Sequence, residues 1–345
     1  MLRVKKKTLG TRSRGITFLS FTVRGSEVHS ELRTALAECD RMAGLSNVGR
    51  QTFFLAEPMA RQAVECVVDE LCGEARPVTT YALQPPAGGK ALAAELWAFP
   101  AGSVSVRSRH AALALMGGLR WAFLGGLETD AGEDPYSGVH RLLRLAEQEL
   151  KTCSLEFGQV VRTWYYLGDI LCPTTAQTRY HKANQARNEF YEGKWPDLRF
   201  TPASTGIGMI GSAIALESLA VSDSAGARRA VWVDNPLQTH PYEYGPPGSR
   251  EGNPSFSRGA AVLLPAAVVV FVSGTASIRG SDVVGAGDPE LQAAVTIENI
   301  ATVLSQENLA GRHSLPRGGT LADSQQFRVY VKRAQDLAAI LNPKL

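Results

Sequence analysis

The sequence predicts an α/β protein of the α+β kind, built from two modules in which a mixed β-sheet carries helices on one face. Three observations predict it. Runs of β-branched and aromatic residues alternate with stretches whose apolar residues recur at helical spacing. The order strand, helix, strand across residues 120–166 begins again in the second half, without a strict sequence repeat. A chain of 345 residues with 44% hydrophobic and 20% charged content suits a globular protein of two domains, or one large one.

Residues 1–14 carry six basic residues and no acidic one, and lack the apolar stretch of a secretory signal, so a disordered basic tail is expected there. A first module is expected over 15–222. It opens with a strand at Ile16–Val23. Residues 30–45 and 58–72 read as partly helical, the second with Met59, Ala63, Cys66, Val67 and Leu71 on one face and Gly73 as its stop. Strands follow at Val78–Leu83, Leu92–Phe99 and Arg120–Leu124, the last closed by Gly125-Gly126. A helix over Pro135–Cys153, a strand over Val160–Tyr166, a helix over Tyr180–Phe190, a loop over Pro202–Gly208 and a strand over Ala213–Ala220 complete it. The small, polar stretch Ser222–Arg229 reads as the joint.

A second module is expected over 230–345, incomplete at its end. Val268–Val272 is a buried strand by its β-branched run. Ser273-Gly274-Thr275-Ala276-Ser277 follows, small residues that let a ligand approach the backbone. Asp288-Pro289 is an N-cap followed by proline in the first turn, opening a helix to residue 304. Phe327–Lys332 alternates like a strand, and Ala334–Leu341 begins a further helix. The loop 235–247, with four prolines and several rings, reads as a pocket wall.

Charge and cysteine use exclude several functions. The net charge is +3, but outside the tail 30 basic residues face 33 acidic ones, which argues against a general nucleic-acid binder. No apolar run is long enough to span a membrane. Five cysteines without a C-x-x-C pair fit the cytoplasm better than a disulfide framework. Six scattered histidines offer no metal-ligand spacing, and neither metal nor cofactor is expected.

Longer motifs carry a family resemblance. Arg162-Thr-Trp-x-Tyr166, Tyr180-x-x-x-Asn184-x-x-Arg187-x-x-Phe190, Pro202-Ala-Ser-Thr-Gly-Ile-Gly208, the Asn-Pro and Tyr-x-Tyr-Gly-Pro elements of residues 235–247, Phe256-Ser-Arg258 and Ser273-Gly-Thr-Ala-Ser-Ile278 together resemble the chorismatases and related 3-hydroxybenzoate synthases. The resemblance covers most of residues 120–340 and implies modules of the RidA (YjgF) fold. It also implies chorismate as substrate: its enol ether is protonated, the resulting cation is attacked by water or an internal hydroxyl, and pyruvate leaves. In that family the general acid is a glutamate in a C-terminal segment resembling Val-Glu-Ile-Glu. That pattern does not occur before Leu345, so the catalytic residue is unassigned and slow turnover by residues 1–345 is expected. Family members with glycine where Gly274 stands tend to form 3-hydroxybenzoate; those with alanine tend to form the dihydrodiol.

A dicarboxylate substrate asks for cations and hydroxyl donors in a pocket. Arg258, directly before a strand, is the first candidate for a carboxylate clamp, and a surface arginine closing a loop is the alternative. Arg162 and Arg187 are second candidates, with a solvated strand position and a solvated helix face as their alternatives. Tyr166, Tyr180 and Tyr244 are candidate donors or amphipathic core-edge tyrosines. Thr205 and Gly206 offer backbone amides, and Gly274, Thr275 and Ser277 line the small-residue turn. Three functions remain open: a chorismatase-type enzyme, a RidA-like imine deaminase, and a non-catalytic ligand-binding module. The partner in each is a small molecule, with neither nucleic acid nor membrane called for.

Overall fold

The computed structural model describes residues 3–10, 15–25, 27–174, 177–244, 252–265 and 267–341. Expectations for Gly245-Pro-Pro247, the ends of the basic tail and the last four residues lie outside these. The chain forms two compact units: Met1–Tyr180 with Gly206–Arg229, and His181–Thr205 with Ala230–Leu345.

The first unit holds two sheets. The first has the order β1-β2-β5-β3-β4, with β1 at Lys5–Leu9, β2 at Ile16–Val23, β3 at Val48–Leu55, β4 at Val78–Ala82 and β5 at Leu92–Ala98. Only β3 and β4 run parallel, joined through helix α2 (Ala60–Cys72); α1 (Val28–Ala43) links β2 to β3. The basic tail is therefore not disordered throughout. Lys5–Leu9 pairs antiparallel with β2, where the sheet edge satisfies its backbone groups. Helix α1 turns Leu32, Ala35, Leu36 and Cys39 into the core, and α2 turns in Val64, Val67 and Val68. Of the expected face of α2, Val67 and Leu71 pack into the core, whereas Met59 and Cys66 are exposed and Val64 and Val68 take the inward positions. Gly73 (φ 50°) ends α2, its N–H bonded to Asp69 O.

The second sheet has the order β10-β9-β11-β8-β7-β6. Its strands are β6 (Val104–Val106), β7 (Ala111–Met116), β8 (Leu119–Glu128), β9 (Val160–Gly168), β10 (Ala203–Met209) and β11 (Ile214–Asp223). Residues 203–208, expected as a loop, are strand. Helix α3 (Pro135–Thr152) starts on Asp134, whose carboxylate accepts from Tyr136 N and Ser137 N, and buries Val139, Leu142, Leu143, Ala146 and Leu150. Gly125-Gly126 does not end β8. The strand continues to Glu128 through a bulge in which these two glycines oppose the single residue Glu217 of β11, with Gly126 at φ 63°.

The two sheets of this unit meet through aromatic rings. Trp97 lies edge-on to Phe18, Phe123 and Trp164, and Phe99 packs on Phe123. In that layer the Arg50 guanidinium lies 4.8 Å from the Trp97 ring centroid and 4.9 Å from that of Trp164. Its Nη2 donates to Glu217 Oε1 (3.1 Å) and Oε2 (2.9 Å), and also to Thr52 Oγ1. Thr52 Oγ1 and Tyr166 Oη donate to the same carboxylate at 2.5 and 3.2 Å.

The second unit carries a three-stranded antiparallel sheet, β12 (Ala230–Val233), β13 (Gly259–Leu263) and β14 (Val268–Val272), in that order. Helix α5 (Pro289–Leu304) begins on Asp288, whose side chain accepts from Glu290 N and Leu291 N, as its sequence predicts. Val303, Leu309 and Leu315 pack with Val233 and Ala261 in its core. Helix α4 (Arg179–Glu192) contributes Ala183, Asn184, Ala186, Arg187 and Tyr191 as buried residues. Phe327–Lys332, expected as a strand, belongs to none of the described sheets, and Phe327 and Val329 are more than half exposed. An alternating pattern becomes a strand only where a neighbouring strand takes its N–H and C=O groups. Ala334–Asp336 is a single tight turn, and the helix expected from there is the short α6 (Leu337–Leu341). No helix among the described residues is long and apolar enough to cross a membrane.

Two outcomes follow from this packing. Arg50→Met or Glu217→Met strands a buried charge, so each should lower unfolding stability by about 3–5 kcal/mol in urea titration, and the double variant should cost less than the two singles together. A single-variant loss below about 1 kcal/mol would show that the pair is solvated. In native protein at pH 8, a thiol reagent should modify the exposed Cys66 and Cys172 first; burial pushes Cys39 up to about 12 and Cys72 up to about 11, so both wait for unfolding. Rapid native labelling of Cys39 would contradict the packing of α1.

Candidate functional site

Seven of the eleven predicted site residues lie in the second unit, five of them close to where β14 gives way to small residues and two, Tyr244 and Arg187, on the loop and helix described below. The β-branched run of β14 stops at Ser273, whose N–H still donates to Arg258 O at 2.9 Å. Its hydroxyl donates to Ser257 O (2.5 Å) and accepts from Ser204 N (2.9 Å). Gly274 N donates to Ser204 O at 2.9 Å, and Ser257 Oγ to Thr201 O at 2.8 Å. Three chain segments, 201–205, 255–258 and 273–275, are thereby joined by buried hydroxyls, each satisfied by backbone.

The glycine in this turn has a steric reason. A Cβ on Gly274 would stand 3.2 Å from both Cγ2 and Oγ1 of Thr205 and 3.3 Å from its Cα, closer than most side chains tolerate. Thr275 turns back on its own turn, Oγ1 donating to Ser273 O at 2.8 Å. Ser277 is buried, and its carbonyl accepts from Val284 N at 2.7 Å.

Arg258 lies directly before β13, where its motif predicts it, and is 5% exposed, so it is no surface arginine. Its Nη2 donates to Thr239 O (2.7 Å) and Tyr244 Oη (2.5 Å), and its guanidinium stands 5.5 Å from the Phe256 ring centroid and 5.7 Å from that of Tyr244. Its Nε is buried without a hydrogen-bond partner, and no carboxylate pairs with it, among the described residues. A buried cation that meets only neutral groups is costly, and an incoming carboxylate offsets that cost.

The Tyr244 loop is tied down from α4. Asn184 Nδ2 donates to Gly252 O (3.2 Å) and Asn188 Nδ2 to Asn253 O (2.7 Å). Asn253 Nδ2 in turn donates to the carbonyls of Tyr242 (3.2 Å) and Tyr244. Arg187, on the same helix, is 3% exposed; the solvated helix face that was the alternative for it does not hold.

The other four predicted residues belong to the first unit. Arg162 is 5% exposed, with Nη1 donating to Thr163 O (2.8 Å) and its guanidinium 4.5 Å from the Trp164 ring centroid, so it is not a solvated strand residue either. Tyr166 is fully buried and bonded to Glu217, which gives it a partner in the core cluster. Tyr180 is half-buried, and its ring lies 3.1 Å from where a Cβ on Gly206 would be; the absent side chain makes room for that ring. Sequence reasoning missed Ser204, Ser257, Asn184, Asn188 and Asn253. Asn184, Ser204 and Ser257 do lie within the motifs that carry the family resemblance, and a further signal is the density of serines and asparagines inside otherwise strand-like or helical stretches, where such residues lower propensity.

No family model matches the chain. Over 194 residues it is 37% identical to a chorismatase of Streptomyces rapamycinicus, covering 54% of this chain and 55% of the relative. Over 233 residues it is 32% identical to a 3-hydroxybenzoate synthase of Streptomyces hygroscopicus, covering 65% of this chain and 66% of the relative. The matches thus span somewhat over half to about two thirds of these relatives' length. Among solved structures, a chorismatase crystal structure superposes with a TM-score of 0.67 over 86% of this chain and 84% of that one, at 23% identity, which shows a shared fold. The chain is thus similar in sequence to curated chorismatases and a 3-hydroxybenzoate synthase, and it shares the fold of a chorismatase.

Proposed function

We propose that this chain binds chorismate and cleaves its enol-pyruvyl ether, releasing pyruvate and 3-hydroxybenzoate. The observation that carries the reading is Arg258, a buried guanidinium held by a carbonyl and a phenol and met by no carboxylate among the described residues. Such a group is preorganised for an anionic ligand, because its desolvation is already complete before the ligand arrives. Gly274, exposed beside Thr205 and Arg258, leaves backbone open where a planar ring can lie close.

The chemistry balances without a cofactor. A proton adds to the enol-ether methylene, the resulting oxocarbenium centre is captured by a hydroxyl of the same molecule or by water, and pyruvate departs. When the ring aromatises, the two products together hold the atoms of chorismate; when water intervenes, the dihydrodiol takes up one water. The names of the curated relatives, two chorismatases and a 3-hydroxybenzoate synthase, agree with this substrate class. We assign the protein to the cytoplasm, on five cysteines that are all unpaired.

Pyruvate release coupled to lactate dehydrogenase tests the reading. Pyruvate with 3-hydroxybenzoate in the product mixture supports it. Chromatography that showed only the dihydrodiol would overturn the product assignment. Binding without pyruvate would make the chain a ligand-binding module, and ammonia from an imino acid would make it a deaminase. Arg258→Ala should weaken a chorismate analogue by about 10- to 150-fold, since a hydrogen bond to a charged group contributes roughly 1.5–3 kcal/mol. Unchanged affinity in calorimetry would remove Arg258 from the site.

A further inference from the structure

Helix α5 carries one fully buried amide, Asn299. Asparagine is a poor residue for a helix interior, and a buried amide is costly unless all its polar atoms are bonded. Here they are. Nδ2 donates to Ala276 O and Ile278 O, each at 3.0 Å, and Oδ1 accepts from Arg279 Nη1. The Asn299 carbonyl accepts from Asn235 Nδ2 at 3.2 Å, and the same Nδ2 donates to Gln238 Oε1 at 3.1 Å. Gln238 Nε2 donates to Ile278 O at 3.2 Å, closing the ring of contacts. Backbone bonds between Gly280 and the residues Leu237 and Thr239, both 2.9 Å, join the turn to the loop. Thr239 then offers the carbonyl that holds Arg258.

We propose that Asn299 is a positioning residue for the Arg258 site. It fixes the 273–279 turn through two carbonyls and, through Asn235 and Gln238, the loop whose Thr239 carbonyl orients the guanidinium. The inference rests on the anion-binding reading of Arg258. The substituted helix would still have its apolar packing, since Val303 supplies the core contact one turn further on.

The test uses the whole chain, a chorismate analogue, and calorimetry across pH. Asn299→Asp keeps the shape of the side chain and replaces the Nδ2 donor by one carboxylate oxygen facing two carbonyls. Affinity should fall at least tenfold at pH 7.5 and recover toward the wild-type value as the pH falls through the carboxyl range, because the protonated acid regains a donor. Val303→Ala, which loosens the same helix without touching the network, should keep affinity within about twofold. Wild-type affinity in Asn299→Asp, an equal loss in Val303→Ala, or no recovery at low pH relative to wild type would overturn the proposal. If Asn299→Asp does not fold, Gln238→Leu removes one donor to Ile278 O and should lower affinity several-fold; no loss would overturn it. If the wild type binds no analogue, the functional reading fails by itself. Amide exchange then decides the positioning claim: it should quicken together over 276–280 and 237–239 in Asn299→Asp, and unchanged exchange would overturn it.

Discussion

The hydroxyl of Ser273 is the contact on which the candidate site depends. It is one oxygen, buried, that donates to Ser257 O and accepts from Ser204 N. Those two bonds bring three segments far apart in sequence to within backbone distance of one another. Arg258 follows Ser257, Thr205 follows Ser204 and Gly274 follows Ser273, so each site residue is the neighbour of a knot residue. A side chain with only an acceptor or only a donor would leave one of the buried backbone groups unpaired, and an alkyl group would leave both.

Two arginines show how the same side chain is put to different use. Arg50 sits between two indole rings with Glu217, Thr52 and Tyr166 around it, and its charge is balanced within the fold. It ties one sheet of the first unit to the other. The β8 bulge at Gly125-Gly126 belongs to this arrangement, because two residues opposite one is the local irregularity that aims a side chain away from the regular pleat. Arg258 is as deeply buried but meets a carbonyl and a phenol instead of a carboxylate. The first arrangement is complete without a ligand; the second has charge to spare for one.

Amide side chains do the supporting work around Arg258. Asn184, Asn188 and Asn253 hold the backbone of the Tyr244 loop from one side, and Asn235, Gln238 and Asn299 hold the 237–239 loop from the other. None carries charge, so none competes with Arg258 for an anion. Loops rich in proline have few backbone donors of their own, and side-chain amides, with donors and an acceptor each, fit that need.

What the sequence by itself determined is what short-range physics controls. The run Val268–Val272, the Asp288-Pro289 cap, the Gly73 stop and the helix over Pro135–Thr152 depend on neighbours within a turn or two, and they stand where they were read. The place of Arg258 before a strand was legible for the same reason. Tertiary structure decided the rest. Pairing with β2 turned Lys5–Leu9 into a strand, Phe327–Lys332 joined none of the described sheets, and the Glu217 bulge carried β8 past its glycines. Burial turned Arg162 and Arg187 from expected surface cations into interior ones. The division of the predicted site between the two units, and the serine knot that joins positions 204, 257 and 273 by bonds across 69 and 16 residues, depend on contacts that no local pattern encodes.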